Sequence, residues 1–224
     1  MGIDQQVYQQ LSGDLNAGGV TLVAVSKTKP ASDILGLYQL GQRDFGENYV
    51  QELVDKAATL PRDIRWHFIG HLQSNKVKYI APFVHLIQGV DSLKLLKEIN
   101  KQAAKHGRTI DVLLQVHIAK EETKFGFDAA ELEELLQAQK EEVQALTHVR
   151  VCGLMGMASF SDDRDLVRRE FRHLKSLFEQ HRHTASSTIH FTILSMGMSG
   201  DYQMAVEEGS TLVRIGSLLF GARN

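Results

Sequence analysis

Residues 21–30 read Thr-Leu-Val-Ala-Val-Ser-Lys-Thr-Lys-Pro, a short β-branched apolar run that gives way at once to small polar and cationic residues and then to a proline. That is the pattern of a buried strand and its exit loop. The pattern recurs along the chain. Strands are predicted over residues 21–26, in a short run ending at Asp44-Phe45, and over 64–69, 84–88, 111–117, 149–154, 189–194 and 212–215. Between them, residues 31–40, 49–59, 92–106, 129–139, 166–180 and 202–208 carry apolar side chains at three- and four-residue spacing, as amphipathic helices do. Eight strand–helix units within 224 residues predict an α/β fold, a closed (β/α)8 TIM barrel with an extra N-terminal helix. A doubly wound open sheet is the alternative. No linker or low-complexity tract divides the chain, so one domain over residues 1–224 is expected.

Composition narrows the function classes. Lys+Arg 25 against Asp+Glu 27 leaves a formal charge of −2, without the basic excess with which nucleic-acid binders displace counterions. Charges interrupt every apolar run before the roughly 18 residues a membrane span needs. The first residues lack a basic segment followed by an apolar one, and Cys152 is the only cysteine. A cytoplasmic protein is expected, without nucleic-acid or membrane partners. No two glycines are separated by a single residue, which removes G-x-G-x-x-G, and the P-loop and G-x-S-x-G are absent as well.

A barrel demands functional residues just after its strands, where the loops of the C-terminal face meet. Ser26-Lys27-Thr28-Lys29, Gly46-Glu47-Asn48, Gly70-His71, Asp91-Ser92, His117, Ser195 to Asp201 and Arg214-Ile215-Gly216-Ser217 all fall there. Lys27 carries the most information. A lysine whose stem is walled by apolar groups loses preference for its ammonium form, and the freed amine can add to an aldehyde; a solvated strand-end lysine is the plainer reading. The small residues after strands seven and eight suit an anion held by backbone N–H groups, with Ser195, Ser199, Gly216 and Ser217 as candidate donors. Gly216 could instead serve a tight turn, and Ser199 could cap a helix. Arg214 sits among Leu212, Val213 and Ile215, so it needs a polar partner: a barrel carboxylate such as Glu47, or an acceptor on a ligand. His67 and His71 lie roughly 13 Å apart along a strand and cannot share one metal. His181 and His183 read as solvated at a helix end, Cys152 as core, and the acidic run from Glu131 as a solvated helix face.

The motifs Ala24-Val25-Ser26-Lys27-Thr28-Lys29-Pro30, Phe45-Gly46-Glu47-Asn48-Tyr49, Trp66 to Lys76, Leu194-Ser195-Met196-Gly197-Met198-Ser199 and Val213-Arg214-Ile215-Gly216 resemble the pyridoxal phosphate homeostasis protein (YggS-like) family over nearly the whole chain. That family has the fold-type III barrel of the alanine racemase N-terminal domain. The resemblance implies pyridoxal 5′-phosphate as cofactor, held as an internal aldimine on Lys27. It places the phosphate on Ser195 and the Gly216 and Ser217 backbone, Arg214 at the pyridine nitrogen, and Asn48, Met196 and Gly197 against the cofactor. His117, and the loop Gly156-Met157-Ala158-Ser159 without a proline, depart from the family pattern; Lys124 matches a family position.

An arginine at the pyridine nitrogen favours an unprotonated ring and a weak electron sink, and the chain ends soon after strand eight. The expected role is therefore a non-catalytic carrier or buffer of the cofactor, a monomer serving apo-enzymes that depend on it. An amino-acid racemase is the enzymatic alternative, and a cofactor-free Schiff-base aldolase is more distant.

Overall fold

The computed structural model describes residues 3–120, 125–183 and 188–221. Eight parallel strands close into a barrel in sequence order: β1 Thr21–Val25, β2 Asp44–Glu47, β3 Arg65–Phe68, β4 Leu86–Val90, β5 Ile110–Val116, β6 Val149–Gly156, β7 Ile189–Met198 and β8 Leu212–Ile215. Closure is made by β1 against β8, with Thr21 opposite Leu212 and Val23 opposite Arg214. The open-sheet alternative is thereby set aside.

An N-terminal helix, α1 (Gln5–Ala17), precedes the barrel; Asp4 caps it by accepting from the Val7 N–H at 3.0 Å. The remaining helices lie between or after strands: α2 (Ala31–Gln39), α3 (Val50–Thr59), the short α4 (Val77–Ile80), α5 (Leu93–Lys105), α6 (Ala129–Glu133), α7 (Lys140–Gln144), α8 (Arg164–His181), α9 (Tyr202–Glu207) and α10 (Ser217–Phe220). Their apolar stripes pack onto the outward faces of the strands in one large core. The strands' alternation separates a second, smaller cluster inside the barrel. Val23 belongs to that inner group with Leu86, Leu113, Cys152, Met155 and Leu212, whereas its neighbours Leu22 and Ala24 face the helices. None of the helices among the described residues is long and apolar enough to cross a membrane.

Three sequence expectations shift. Strand β2 begins at Asp44 rather than ending there, because Gly46 and Glu47 continue the ladder to His67 and Phe68. Strand β7 runs on to Met198, four residues beyond the apolar run that announces it, since Ser195 and Met198 pair with β8 across an irregular register. His181, expected in solvent, is buried beside Phe191: it falls on the α8 stripe of Val167, Phe171, Leu174 and Phe178. Cys152 is buried as expected, and burial pushes its thiol up to about 11.

Candidate functional site

A cavity of about 580 Å³ opens at the C-terminal mouth of the barrel, lined by Lys27, Lys29, Asn48, Arg214, Gly216 and Ser217, together with Ser199, Gly200, Asp201 and the loop after β6. Five candidate site residues, Lys27, Asn48, Arg214, Gly216 and Ser217, thus meet at one place, or seven counting Lys29 and Ser199. Lys27, Asn48, Gly216 and Ser217 follow strand ends and turn over the rim, while Arg214 reaches it from within β8.

The turn carrying Lys27 is held from below. Thr28 adopts φ 65°, a left-handed conformation rare for a β-branched residue. Its N–H donates to Glu52 Oε1 at 2.6 Å, and the Lys29 N–H donates to the Ser26 carbonyl at 3.0 Å. Lys56 on α3 ties the assembly together, donating to Ser26 O at 2.8 Å, Glu47 Oε1 at 2.8 Å and Glu52 Oε1 at 2.7 Å. Ser26 Oγ donates to the same Glu47 oxygen at 2.6 Å. Glu47 is fully buried, which pushes its carboxyl above the usual range; the bonds from Lys56 and Ser26 oppose that shift. Glu47 is therefore the partner of Lys56 and not of Arg214. Sequence reasoning missed this clamp, although Lys56 falls on the apolar stripe of α3 with Leu53, a charged residue where only a paired one is tolerated.

Arg214 reaches the cavity from β8. It donates one Nη to Ser195 Oγ and another to the Gly156 carbonyl at 2.9 Å. Burial lowers its pKa to about 10, with Asp201 acting in the other direction. It stays cationic at neutral pH, with donors only.

Ser195, Met196 and Gly197 are placed differently from the sequence reading. Because β7 extends to Met198, Ser195 points into the barrel, its hydroxyl committed to Gln88 and Arg214, while Met196 packs in the outer core. None of the three lines the mouth cavity. Gly197 has φ 95°, and a Cβ there would meet the Ala205 Cβ at 2.6 Å, so the glycine serves the contact of β7 with α9. The loop position passes to Ser199, Gly200 and Asp201. Ser199 does not cap α9; its Oγ accepts from the Gly216 N–H at 3.2 Å and joins the two loops. The Met198 N–H donates to Asp201 Oδ1 at 2.6 Å.

At the opposite wall Asn48 lines the cavity, and its Oδ1 is buried without a hydrogen-bond partner. A buried acceptor in that state needs a donor from a ligand or water. The chain bends there under a steric constraint, since a Cβ at Gly70 would lie 2.3 Å from the Asn48 carbonyl oxygen. His71 turns to Asp91, 3.1 Å away, and stacks on Phe125. His117 closes the end of β5, its N–H donating to Phe127 O at 2.9 Å. The loop after β6 is anchored by Glu170, which accepts from the Ser159 N–H and hydroxyl, both at 2.7 Å. Lys124 lies outside the described residues.

The barrel with an amine at its mouth defines a class: the family model described as "Alanine racemase, N-terminal domain" matches residues 6–224. The pyridoxal phosphate homeostasis protein of Pasteurella multocida is 40% identical over 208 residues, 92% of this chain and 87% of the relative. The human protein of that name is 40% identical over 230 residues, 98% and 82% of the two chains. The chain belongs to the pyridoxal phosphate homeostasis protein family. Among solved structures, PipY of Synechococcus elongatus PCC7942 without PLP matches at a TM-score of 0.89 and 35% identity, covering 96% of this chain and 99% of that one. PipY with PLP bound matches at a TM-score of 0.84 and 35% identity, covering 96% and 100%.

Proposed function

We propose that this chain holds pyridoxal 5′-phosphate in the mouth cavity, buffers it, and releases it to apo-enzymes that need it. The observation that carries the reading is the convergence on one cavity of an amine (Lys27), a fixed cationic donor (Arg214), an unpartnered buried acceptor (Asn48) and a glycine-rich rim (Gly200, Gly216). PipY, of the same architecture, is a PLP binder.

The residues fit such a ligand. When bound, the cofactor supplies an aldehyde carbon that takes up a primary amine and a ring that draws electron density from it. Lys27 supplies the amine, on a turn fixed by Glu52 and Lys56. Arg214, with one N–H of each Nη turned to Ser195 and Gly156, would offer a remaining N–H to the ring nitrogen. The phosphate would fall to the rim of Ser199, Gly200, Gly216 and Ser217, where a side chain is small or missing and an anion can approach the backbone, displacing the Gly216 N–H from Ser199 Oγ.

A holding role suits the site better than turnover. Arg214 is cationic well above neutral pH and has no proton to lend to the ring, so the electron sink is weak. Two further titratable groups of the lining serve its framework: Lys29 Nζ donates to the Phe220 carbonyl at 2.9 Å, and Asp201 holds Met198, while a third, Asp162, is exposed at the rim. The chain acts as a monomer in this reading.

The test combines two assays on the purified, cofactor-loaded protein. Incubation with L- and D-alanine in deuterated water is expected to give no α-proton exchange above that of free cofactor, while an apo-enzyme acceptor gains activity on mixing. Robust exchange that is lost in Lys27→Ala would replace the carrier by a racemase-type enzyme.

A further inference from the structure

A file of hydrogen bonds crosses the barrel interior beneath the cavity. Arg214 on β8 donates to Ser195 Oγ on β7, and Ser195 donates to Gln88 Oε1 on β4 at 2.7 Å. Gln88 Nε2 lies 3.0 Å from His67 Nδ1 on β3, and His67 Nε2 lies 3.0 Å from Asp44 Oδ1 on β2. Arg65 closes the far end on both oxygens of Asp44, its Nε at 2.7 Å. All five residues from Arg214 to Asp44 are buried. The file runs from the third residue of β8, at the mouth, to the first residue of β2, at the opposite end.

Its ends fix its polarity. An arginine can only donate, and an ionised carboxylate can only accept. Arg65 and His67 hold the Asp44 carboxyl well below the usual range against the effect of burial, so Asp44 is an acceptor at neutral pH. His67 then donates from Nε2, and Nδ1, facing the Gln88 NH₂, is its acceptor. The Gln88 amide must turn its NH₂ toward His67 and its oxygen toward Ser195. The Ser195 hydroxyl, spent on Gln88, is left with a lone pair for Arg214. Every member is satisfied in this sense, and turning the Gln88 amide over would set its oxygen against the His67 Nδ1 lone pair in a buried interior.

The same end of the barrel holds a cluster with metal-ligand chemistry, Asp44, His67 and His85, whose ligand atoms lie within 4.8 Å of one another. Arg65 already neutralises Asp44 there and occupies both of its oxygens, so the cluster reads as the anchor of the file.

We propose that Gln88 and His67 are positioning residues: through Ser195 they fix the orientation in which Arg214 meets the ligand. The proposal rests on the mouth cavity being the cofactor site, and it accounts for a serine that sits in a motif of the family yet does not line the cavity.

The experiment uses the full chain in two arms. In the apo-protein, ¹⁵N NMR should show His67 as the neutral Nε2–H tautomer and a slowly rotating Arg214 guanidinium. Gln88→Met, which keeps the volume and removes both bonds, should release that rotation and raise the Kd for pyridoxal 5′-phosphate about tenfold, the loss of one hydrogen bond to a charged donor. Gln88→Glu, which still accepts from Ser195, should restore the Arg214 signal and most of the affinity. Should Gln88→Met fail to fold, Ser195→Ala removes a single hydroxyl and is read the same way. An unchanged Arg214 signal in a folded Gln88→Met or Ser195→Ala protein, or Gln88→Glu behaving as Gln88→Met does, overturns the proposal. Because the first arm needs no cofactor, a wild-type protein that shows the Arg214 signature but binds no pyridoxal 5′-phosphate would defeat the cofactor reading and leave the file standing.

Discussion

The Thr28 N–H donates to Glu52 Oε1 at 2.6 Å, and it does so from a backbone with φ 65°. A left-handed conformation costs an L-residue about 1–2 kcal/mol, more for a branched side chain. Such strain persists only where neighbours over-determine it. Here those neighbours are Glu52, Lys56 and Glu47, and the residue next to the strained one is Lys27.

Removing the anchor should therefore loosen the lysine before it unfolds the barrel. Glu52→Ala is expected to cost about 1–3 kcal/mol of stability, the range for a hydrogen bond to a charged group, and to speed cofactor dissociation by a larger factor than an equally destabilising change in the core, such as Leu53→Ala. Denaturant melts and stopped-flow release measure the two effects. Equal release rates for variants matched in stability would refute the coupling.

The loops after β7 and β8 should discriminate by phosphate. A side chain at Gly216 would grow beside Val25, whose carbonyl oxygen lies 3.3 Å from the Cβ position, and would crowd the rim. Gly216→Leu is expected to weaken pyridoxal 5′-phosphate at least tenfold more than unphosphorylated pyridoxal, as loss of a charge-assisted contact requires. Parallel titrations of the two ligands decide it, and equal losses would put the phosphate elsewhere.

Acid stability follows from two buried carboxyls with opposite shifts. Asp44 titrates lower in the folded chain than in the unfolded one, so its contribution is complete above its unfolded value near 4 and is lost as pH falls below that. Glu47 titrates higher when folded, so protonating it relieves the folded state over the range just above. Wild type should lose melting temperature between about pH 4 and pH 2, and Asp44→Asn, already less stable at pH 7, should lose less over that window. Calorimetry across this range checks the sign. An Asp44→Asn profile parallel to wild type would mean that Asp44 is not the residue titrating.

The barrel was legible because strand and helix periodicities alternate cleanly, and the gathering of Lys27, Asn48, Arg214, Gly216 and Ser217 at one mouth was legible because each lies near or just past the C-terminal end of a strand. The end of β7 was not, since Ser195, Gly197 and Ser199 look like loop residues while the ladder to β8 carries them as strand to Met198. Ser195 was therefore assigned to the phosphate when its hydroxyl faces Gln88. The polar file joins β2, β3 and β4 to β7 and β8, and only closure of the barrel brings those strands together. The Glu47–Lys56–Glu52 clamp is local, with Glu52 and Lys56 four residues apart on α3, and the buried lysine on that stripe was its signal.

The central claim is that Lys27 is the amine that holds the cofactor. Mixing the purified chain with pyridoxal 5′-phosphate should produce the near-visible absorption band of the lysine-bound cofactor. Borohydride reduction followed by peptide mass mapping should then find the pyridoxyl group on Lys27, with Lys27→Ala lacking both band and adduct. A wild-type adduct mainly on Lys29 or Lys124, or a Lys27→Ala protein that keeps the band at full strength, would contradict it.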